Sequence, residues 1–220
     1  NISEMLRLCR QRNVPALVCT LPTNERDLYP VGEDRLDSVP RESRDRCATL
    51  LQEGETLVDT DPGAALERLR EAVSLAPEHA RAHFLLGRAQ LSLGQTNEGR
   101  ASFIRARDLD SMPWRCTTPQ QQAIRDAAAE RGGILCDMET AFARHSPGGC
   151  IGWELLDDHV HPSLRGQALM AETVVNTLRG LTNAAAVSEK QFARIRSWED
   201  YAAALGDNPY DRYGVDHTLR

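Results

Sequence analysis

The chain has 220 residues, which is enough for one sizeable α/β domain or two smaller ones. Its residues are 41% hydrophobic and 26% charged, as in a typical globular protein, and its net charge of −6 argues against a nucleic-acid-binding surface. No apolar run approaches the roughly 20 residues that a membrane-spanning helix needs. The six cysteines include no C-x-x-C pair, so the sequence indicates no clustered metal site.

The first part of the chain has the pattern of a helix followed by a buried strand. Apolar residues at helical spacing predict a helix over residues 2–12, and the continuous apolar run Val14–Thr20 predicts a parallel strand. The loop "LPTNERDLYP" then lies at the carboxyl edge of the sheet, where open α/β sheets bind their ligands. Because the chain opens inside a helical pattern and without Met, we expect it to be a segment of a longer protein.

Residues 46–110 contain helical patterns and no strand pattern, and their two halves repeat at a period of 34 residues. Small and large positions recur in register, at Ala65, Leu69, Ala72 and Pro77 in the first half and at Leu86-Gly87, Gly99, Phe103 and Ala106 in the second. The second half resembles a tetratricopeptide repeat (TPR), and the first is a looser copy with Gln52-Glu53 where Leu-Gly is usual. The resemblance implies an all-α TPR-like insertion over residues 41–112 that binds a protein partner; a generic pair of helical hairpins is the alternative.

After residue 113 the α/β pattern resumes. Thr118 and Pro119 begin a predicted helix that Gly132 ends, and "ILCDM" is a second short apolar strand. The elements predicted after it are a short helix over 139–146, a loop over 147–162, an amphipathic helix from Ser163 to about residue 181, a linker, a helix near 188–205 and a polar tail. We therefore expect an α/β domain that is interrupted by a helical insertion.

Two carboxylates and two imidazoles are concentrated in "LDDHVHP", residues 156–162. Asp158 and His161 are three residues apart, a spacing that puts both side chains on one side of a helical turn. There the carboxylate accepts a hydrogen bond from one imidazole nitrogen and leaves the other ready to take a proton from a hydroxyl nucleophile. Pro162 and Ser163 begin the next helix and would hold the pair at a rigid junction. The pattern is that of the base and its orienting acid in a Ser-His-Asp triad.

Asp158-x-x-His161-Pro162 resembles the last sequence block of the SGNH/GDSL hydrolases. The order of neighbouring motifs is similar too, with "TLPTNERDLYP", "ARDLDSMPWR", "ILCDM" and "GGCIG" before it and "GQALMA" after it. The resemblance implies a flavodoxin-like, three-layer α/β/α fold for residues 1–40 and 113–182, with a C-terminal helix and polar tail over 183–220. It also implies hydrolysis of esters on lipid or glycan acyl groups, with His161 as the general base, Asp158 as its orienter, and no cofactor.

The serine block and the oxyanion-hole blocks of that family do not occur here, because the sequence contains neither G-D-S nor G-x-N-D. We therefore expect the nucleophile to lie on an N-terminal part outside these residues, and this segment alone to be inactive as an esterase. The alternative function is a non-catalytic interaction module, in which the TPR-like repeats dock a partner on a degenerate hydrolase scaffold.

Three further residues are candidates for the substrate cleft. Asn24 and Arg26 follow the first predicted strand, and Asp137 ends the second. A salt-bridged loop explains the first two equally well, and a turn-forming role explains Asp137. We expect His159 to be a surface neighbour of the pair. Two alternatives to a catalytic pair stay open for residues 156–162, namely a polar helix cap and a metal site formed by Asp157, Asp158, His159 and His161.

Overall fold

The structure is a computed structural model and describes residues 1–32, 34, 36–112, 114–181, 188–204 and 206. The predicted linker at 182–187 and the polar tail at 207–220 lie outside the described residues. The helices and strands are, in chain order, α1 (Ile2–Gln11), β1 (Leu17–Cys19), α2 (Arg41–Leu57), α3 (Pro62–Leu75), α4 (Ala80–Ser92), α5 (Thr96–Leu109), α6 (Thr118–Arg131), β2 (Ile134–Cys136), α7 (Met138–Arg144), α8 (Leu164–Arg179), α9 (Glu189–Phe192) and α10 (Trp198–Ala204).

The prediction of a flavodoxin-like, three-layer α/β/α fold is wrong. Both predicted strands form, and β1 pairs with β2 in parallel, with Leu17 opposite Ile134 and Cys19 opposite Cys136. Among the described residues they make one sheet of two strands, whereas a three-layer fold needs several strands with helices on both faces. The remaining elements are helices, so the fold is predominantly helical. An apolar run in the sequence predicts a strand, but it does not predict how many other strands pair with that strand.

The chain folds into two compact units. The repeat unit contains residues 24–118 and 146–152, and so includes α2 to α5 together with the loop that follows β1. The sheet unit contains residues 1–23, 119–145 and 153 onward, with α1, both strands, α7, α8 and almost all of α6. The repeat unit thus takes in segments on either side of residues 41–112.

Successive helices of the repeat unit pack around an apolar core. Helix α2 packs on α3, α3 on α4, and α4 on α5. Leu69, Leu85 and the rings of Phe84 and Phe103 are buried in this core, and the two rings meet edge to face with centroids 5.5 Å apart. Full burial of such side chains stabilises the folded state by roughly 1.5–3 kcal/mol each, so this core holds the four helices together.

Glycines mark the places where paired helices approach most closely. A Cβ on Gly87 of α4 would lie 3.0 Å from Cδ1 of Phe103, and a Cβ on Gly54 of α2 would lie 2.7 Å from Cδ2 of Leu69. Gly54, and not Glu53, is therefore the small residue of the first helix pair. Glu53 is exposed and forms an ion pair of 2.9 Å with Arg68. The first repeat therefore has the same close contact between its two helices as the second repeat. Its small residue lies one position after the one that the period of 34 residues predicts.

The sheet unit packs helices against its two strands. Leu6 of α1 and Val18 of β1 are buried, and their side chains come within 3.2 and 2.9 Å of a Cβ placed on Gly133. A side chain at Gly133 would therefore separate α1 from the sheet. Helix α8 contacts the second strand, because the hydroxyl of Thr177 donates a hydrogen bond of 3.3 Å to Sγ of Cys136.

Polar side chains cap several helices of the sheet unit. Asn1 caps α1, Asp137 caps α7 and Ser163 caps α8, each by accepting a backbone N–H from the first turn. The predicted start of the amphipathic helix at Ser163 is thus confirmed. No helix among the described residues combines the length and the apolar content needed to cross a membrane.

Candidate functional site

The residues of LDDHVHP form a closed loop before α8. Leu156 and Pro162 face each other in an isolated antiparallel bridge, and the N–H of Asp157 donates to the carbonyl of His161 over 2.8 Å. Leu155 and Leu156 are fully buried at the base of the loop. The base is therefore anchored in the sheet unit while the polar residues lie at the tip, in a loop and not in the helical turn that their spacing predicts.

Asp158 organises the tip of this loop. Its Oδ1 accepts the backbone N–H groups of Val160 and His161, both at 2.8 Å, and its Oδ2 lies 2.6 Å from Nδ1 of His161. The predicted hydrogen bond between the Asp158 and His161 side chains is therefore confirmed. The His161 side chain is 74% exposed. When Nδ1–H donates to Asp158, Nε2 is the nitrogen that can take a proton.

Asp158 keeps its negative charge at neutral pH. Burial acts to raise the pKa of this carboxyl, but the backbone N–H groups of His161 and Val160, and then the imidazoles of His161 and His159, outweigh burial and lower the pKa to about 2. A carboxylate that stays ionised can orient an imidazole and stabilise its protonated form.

His159 approaches the same carboxylate from another direction. Its Nδ1 lies 3.6 Å from Oδ1 of Asp158, and its ring is nearly perpendicular to that of His161, with centroids 6.0 Å apart. The His159 side chain is 28% exposed, so it is much less accessible to a substrate than that of His161. In the part of the chain that the structure describes, no group of three or more His, Cys, Asp or Glu side chains is placed to hold a metal ion.

Asn24 and Arg26, two of the predicted cleft residues, are engaged within the repeat unit. Asn24 is fully buried, and its side-chain oxygen accepts the N–H of Asp27 at 3.0 Å. Arg26 binds Asp27 through two hydrogen bonds of 2.9 and 2.7 Å, and its Nη1 reaches the carbonyl of Cys150 at 3.4 Å. These contacts agree with the alternative of a salt-bridged loop, and a role in substrate binding stays a prediction.

Asp137, the third predicted cleft residue, belongs to the sheet unit. It accepts hydrogen bonds of 2.9 Å from the hydroxyls of Thr20 and Thr140 and from the guanidinium of Arg125. Burial acts to raise the pKa of Asp137, but the bonds from Thr20 and Thr140 and the charge of Arg125 outweigh burial and lower it. These partners hold Asp137 between β2 and α7 as a turn former, and its role in a cleft stays a prediction.

The loop after β1 places an aromatic ring on the first helix of the second repeat. Tyr29 packs edge to face on Phe84 of α4, with ring centroids 5.1 Å apart, and the guanidinium of Arg81 lies 5.8 Å from the centroid of the Tyr29 ring. Two turns further along α4, Arg88 donates a hydrogen bond of 2.7 Å to Asp59. Tyr29 therefore covers part of α4, while the side chains of Arg81 and Arg88 remain 44% and 38% exposed.

A buried ion pair that the sequence did not predict ties the same loop to α5. Nη1 of Arg107 lies 2.7 Å from Oε1 of Glu25, and the two side chains are 1% and 0% exposed. Arg107 also donates to Asp108 at 2.9 Å and to Thr118 at 2.8 Å. Helical periodicity carries a signal for this residue, because Arg107 follows Phe103 by one turn and so falls on the buried face of α5.

Comparison with known proteins supports the repeats and not the hydrolase. Residues 50–111 match the family model described as tetratricopeptide repeat. No curated protein and no solved structure matches the chain. The TPR resemblance of the repeat unit is thus confirmed, whereas the resemblance to SGNH/GDSL hydrolases rests on its sequence motifs alone.

Proposed function

We propose that the repeat unit is a protein-interaction module that binds a partner polypeptide. The observation that carries this proposal is the match of residues 50–111 to tetratricopeptide repeats in a segment that folds as two stacked helix pairs. Arrays of this kind act by presenting a concave surface, formed by successive first helices, to a peptide. In this chain the first helices are α2 and α4.

The exposed part of that face carries the residue types that dominate binding energy at interfaces. Tyr29 supplies an aromatic ring beside Arg81, and Arg88 lies two turns away on α4. Tyr and Arg are enriched among interface residues whose truncation costs the most affinity. A partner segment that places an apolar side chain beside Tyr29 and a polar or acidic group beside Arg88 fits this surface.

Site-specific photo-crosslinking in an extract of the source organism tests the proposal. A photoreactive residue at Arg88, on the proposed face, should yield a discrete adduct with one partner protein. The same residue at Arg70, an exposed position on the second helix α3, is the matched control and should yield no such adduct. Equal adducts at the two positions, or none at Arg88, would contradict the proposal.

A second candidate function is ester hydrolysis with Asp158 and His161 as orienter and general base. The contact that favours it is the 2.6 Å distance between Asp158 Oδ2 and His161 Nδ1, with the imidazole exposed. In this proposal Asp158 fixes the ring, and Nε2 takes the proton of a serine hydroxyl that another segment supplies. The chemistry needs an oxyanion hole as well, and the motifs that provide one in the similar hydrolases do not occur in this sequence.

Hydrolysis of p-nitrophenyl acetate by the natural full-length protein tests the second candidate. General-base catalysis contributes about 10²–10⁴-fold, so His161→Ala should lose at least about a hundredfold in kcat. The matched control is His159→Ala, which removes the neighbouring imidazole and should keep most of the activity. Equal activity of the wild type and His161→Ala would refute the assignment, and loss in His159→Ala alone would move the base to that residue.

A further inference from the structure

Two thiols from distant parts of the sequence lie side by side in the sheet. Cys19 of β1 is the register partner of Cys136 of β2 in the parallel pair. Both cysteines are free, Cys136 is fully buried, and Cys19 is partly exposed. Register partners in adjacent strands project to the same face of a sheet, so the two sulfurs face the same side.

We propose that Cys19 and Cys136 are a redox-active dithiol that a small-molecule disulfide oxidises to a cross-strand disulfide. Adjacent strands lie about 4.8 Å apart, which falls within the Cα separation of roughly 4.4–6.8 Å that disulfides span. Directly opposed positions on parallel strands hold their Cβ atoms further apart than the usual disulfide value of about 3.8 Å. The bond is therefore strained, and strained disulfides are the readily reduced ones.

The reaction is two successive thiol–disulfide exchanges with oxidised glutathione as the oxidant. Cys19, the more accessible thiol, loses its proton and attacks one glutathione sulfur, which forms a mixed disulfide and expels one glutathione thiolate. Cys136 then loses its proton and attacks Sγ of Cys19, which closes the protein disulfide and expels the second glutathione thiolate. The dithiol gives up two electrons and two protons, and one glutathione disulfide becomes two glutathione thiols.

The surroundings of Cys19 make this exchange slow. Burial, followed by the charge and the hydrogen bond of Cys136, raises the pKa of Cys19 to about 11. The thiolate is the species that attacks a disulfide. Because the pKa is raised, little thiolate is present at neutral pH, and the dithiol is oxidised slowly. Once formed, the bond would join β1 to β2, which flank the stretch of chain that carries the repeats, and would close a loop of more than a hundred residues.

Peptide mapping of the whole chain tests the proposal. The chain is incubated with oxidised glutathione at mildly alkaline pH, its remaining thiols are alkylated, and trypsin is added. The expected product is a species that joins the peptide of residues 13–26 to that of residues 132–144, with a mass two hydrogens below the sum of the two peptides. Reduction with dithiothreitol should release both peptides, and the oxidised chain should melt several degrees higher than the reduced one because the unfolded state is constrained.

Cysteine variants separate the proposed pair from the other thiols. The linked species should be lost in Cys19→Ser and in Cys136→Ser, and it should persist in Cys9→Ser, which replaces another partly exposed cysteine of the same unit. Cys19 is partly exposed, so its variant serves even if replacement of the buried Cys136 disturbs folding. Glutathione adducts without the linked species, or a link from Cys19 to Cys9, would overturn the proposal.

Discussion

Arg107 and Glu25 are 82 residues apart in sequence and form an ion pair of 2.7 Å in the interior of the repeat unit. Neither charge has access to solvent, so each depends on the other and on nearby hydrogen bonds for its stabilisation. The pair fixes the loop after β1 against α5, and the same loop carries Tyr29 onto α4. The buried pair and the Tyr29 ring thus hold the same loop against two helices of the repeat unit.

Arg107→Met should strongly destabilise the protein. The substitution leaves the Glu25 carboxylate buried without its guanidinium, a change that costs about 3–5 kcal/mol in comparable buried pairs. The matched control is Arg46→Met, which breaks an exposed pair with Glu71 of 3.0 Å and should cost at most about 1 kcal/mol. Urea denaturation of the whole chain measures both values. Similar losses in the two variants would mean that the buried pair contributes no more than a surface pair.

Gly54→Ala should destabilise the first helix pair. The added methyl would lie 2.7 Å from Cγ and Cδ2 of Leu69, and overpacking of this kind costs about 1–3 kcal/mol. Gly63→Ala is the matched control in α3, because the nearest atom to its added methyl is 3.5 Å away. That variant should be neutral or stabilised by up to about 1 kcal/mol, since alanine has the higher helix propensity. Thermal denaturation followed by circular dichroism distinguishes the two outcomes.

Tyr29→Ala should cost about 2 kcal/mol of stability, because it removes a partly buried ring and its edge-to-face contact with Phe84. Tyr29→Phe keeps the ring and should retain most of that stability. If the partner needs this aromatic ring, the alanine variant should also lose the adduct at Arg88 in the crosslinking experiment, while the phenylalanine variant keeps it. An alanine variant as stable as the wild type would show that the ring packing contributes nothing.

The stability that Asp158 contributes should depend on pH in a defined window. Its folded pKa of about 2 lies below the ordinary aspartate value of about 3.9, so its contribution is fully present above about pH 4. The contribution is lost as the pH falls through the folded pKa. The difference in Tm between the wild type and Asp158→Asn should therefore be present at about pH 5 and shrink towards pH 2. A difference that stays the same at pH 2 would contradict the assignment.

Patterns confined to a few residues or to one repeat period were predicted well. The period of 34 residues identified the two helix pairs, because each repeat places its core residues by local helical spacing. The bond between Asp158 and His161 was predicted as well, but the helical turn from which it was predicted is a loop in the structure. The two short apolar runs form strands, and these two strands pair with each other in parallel, as expected.

The sequence by itself thus determined the repeat helices and the two strands, each of which depends on spacing along a short stretch of chain. Only the tertiary structure decided the number of strands in the sheet, the position of Tyr29 on Phe84, the burial of Glu25 with Arg107 and the pairing of Cys19 with Cys136. The physical reason is that these contacts join residues far apart in the chain. Their energies depend on burial and on three-dimensional proximity, and a local sequence period carries information about neither.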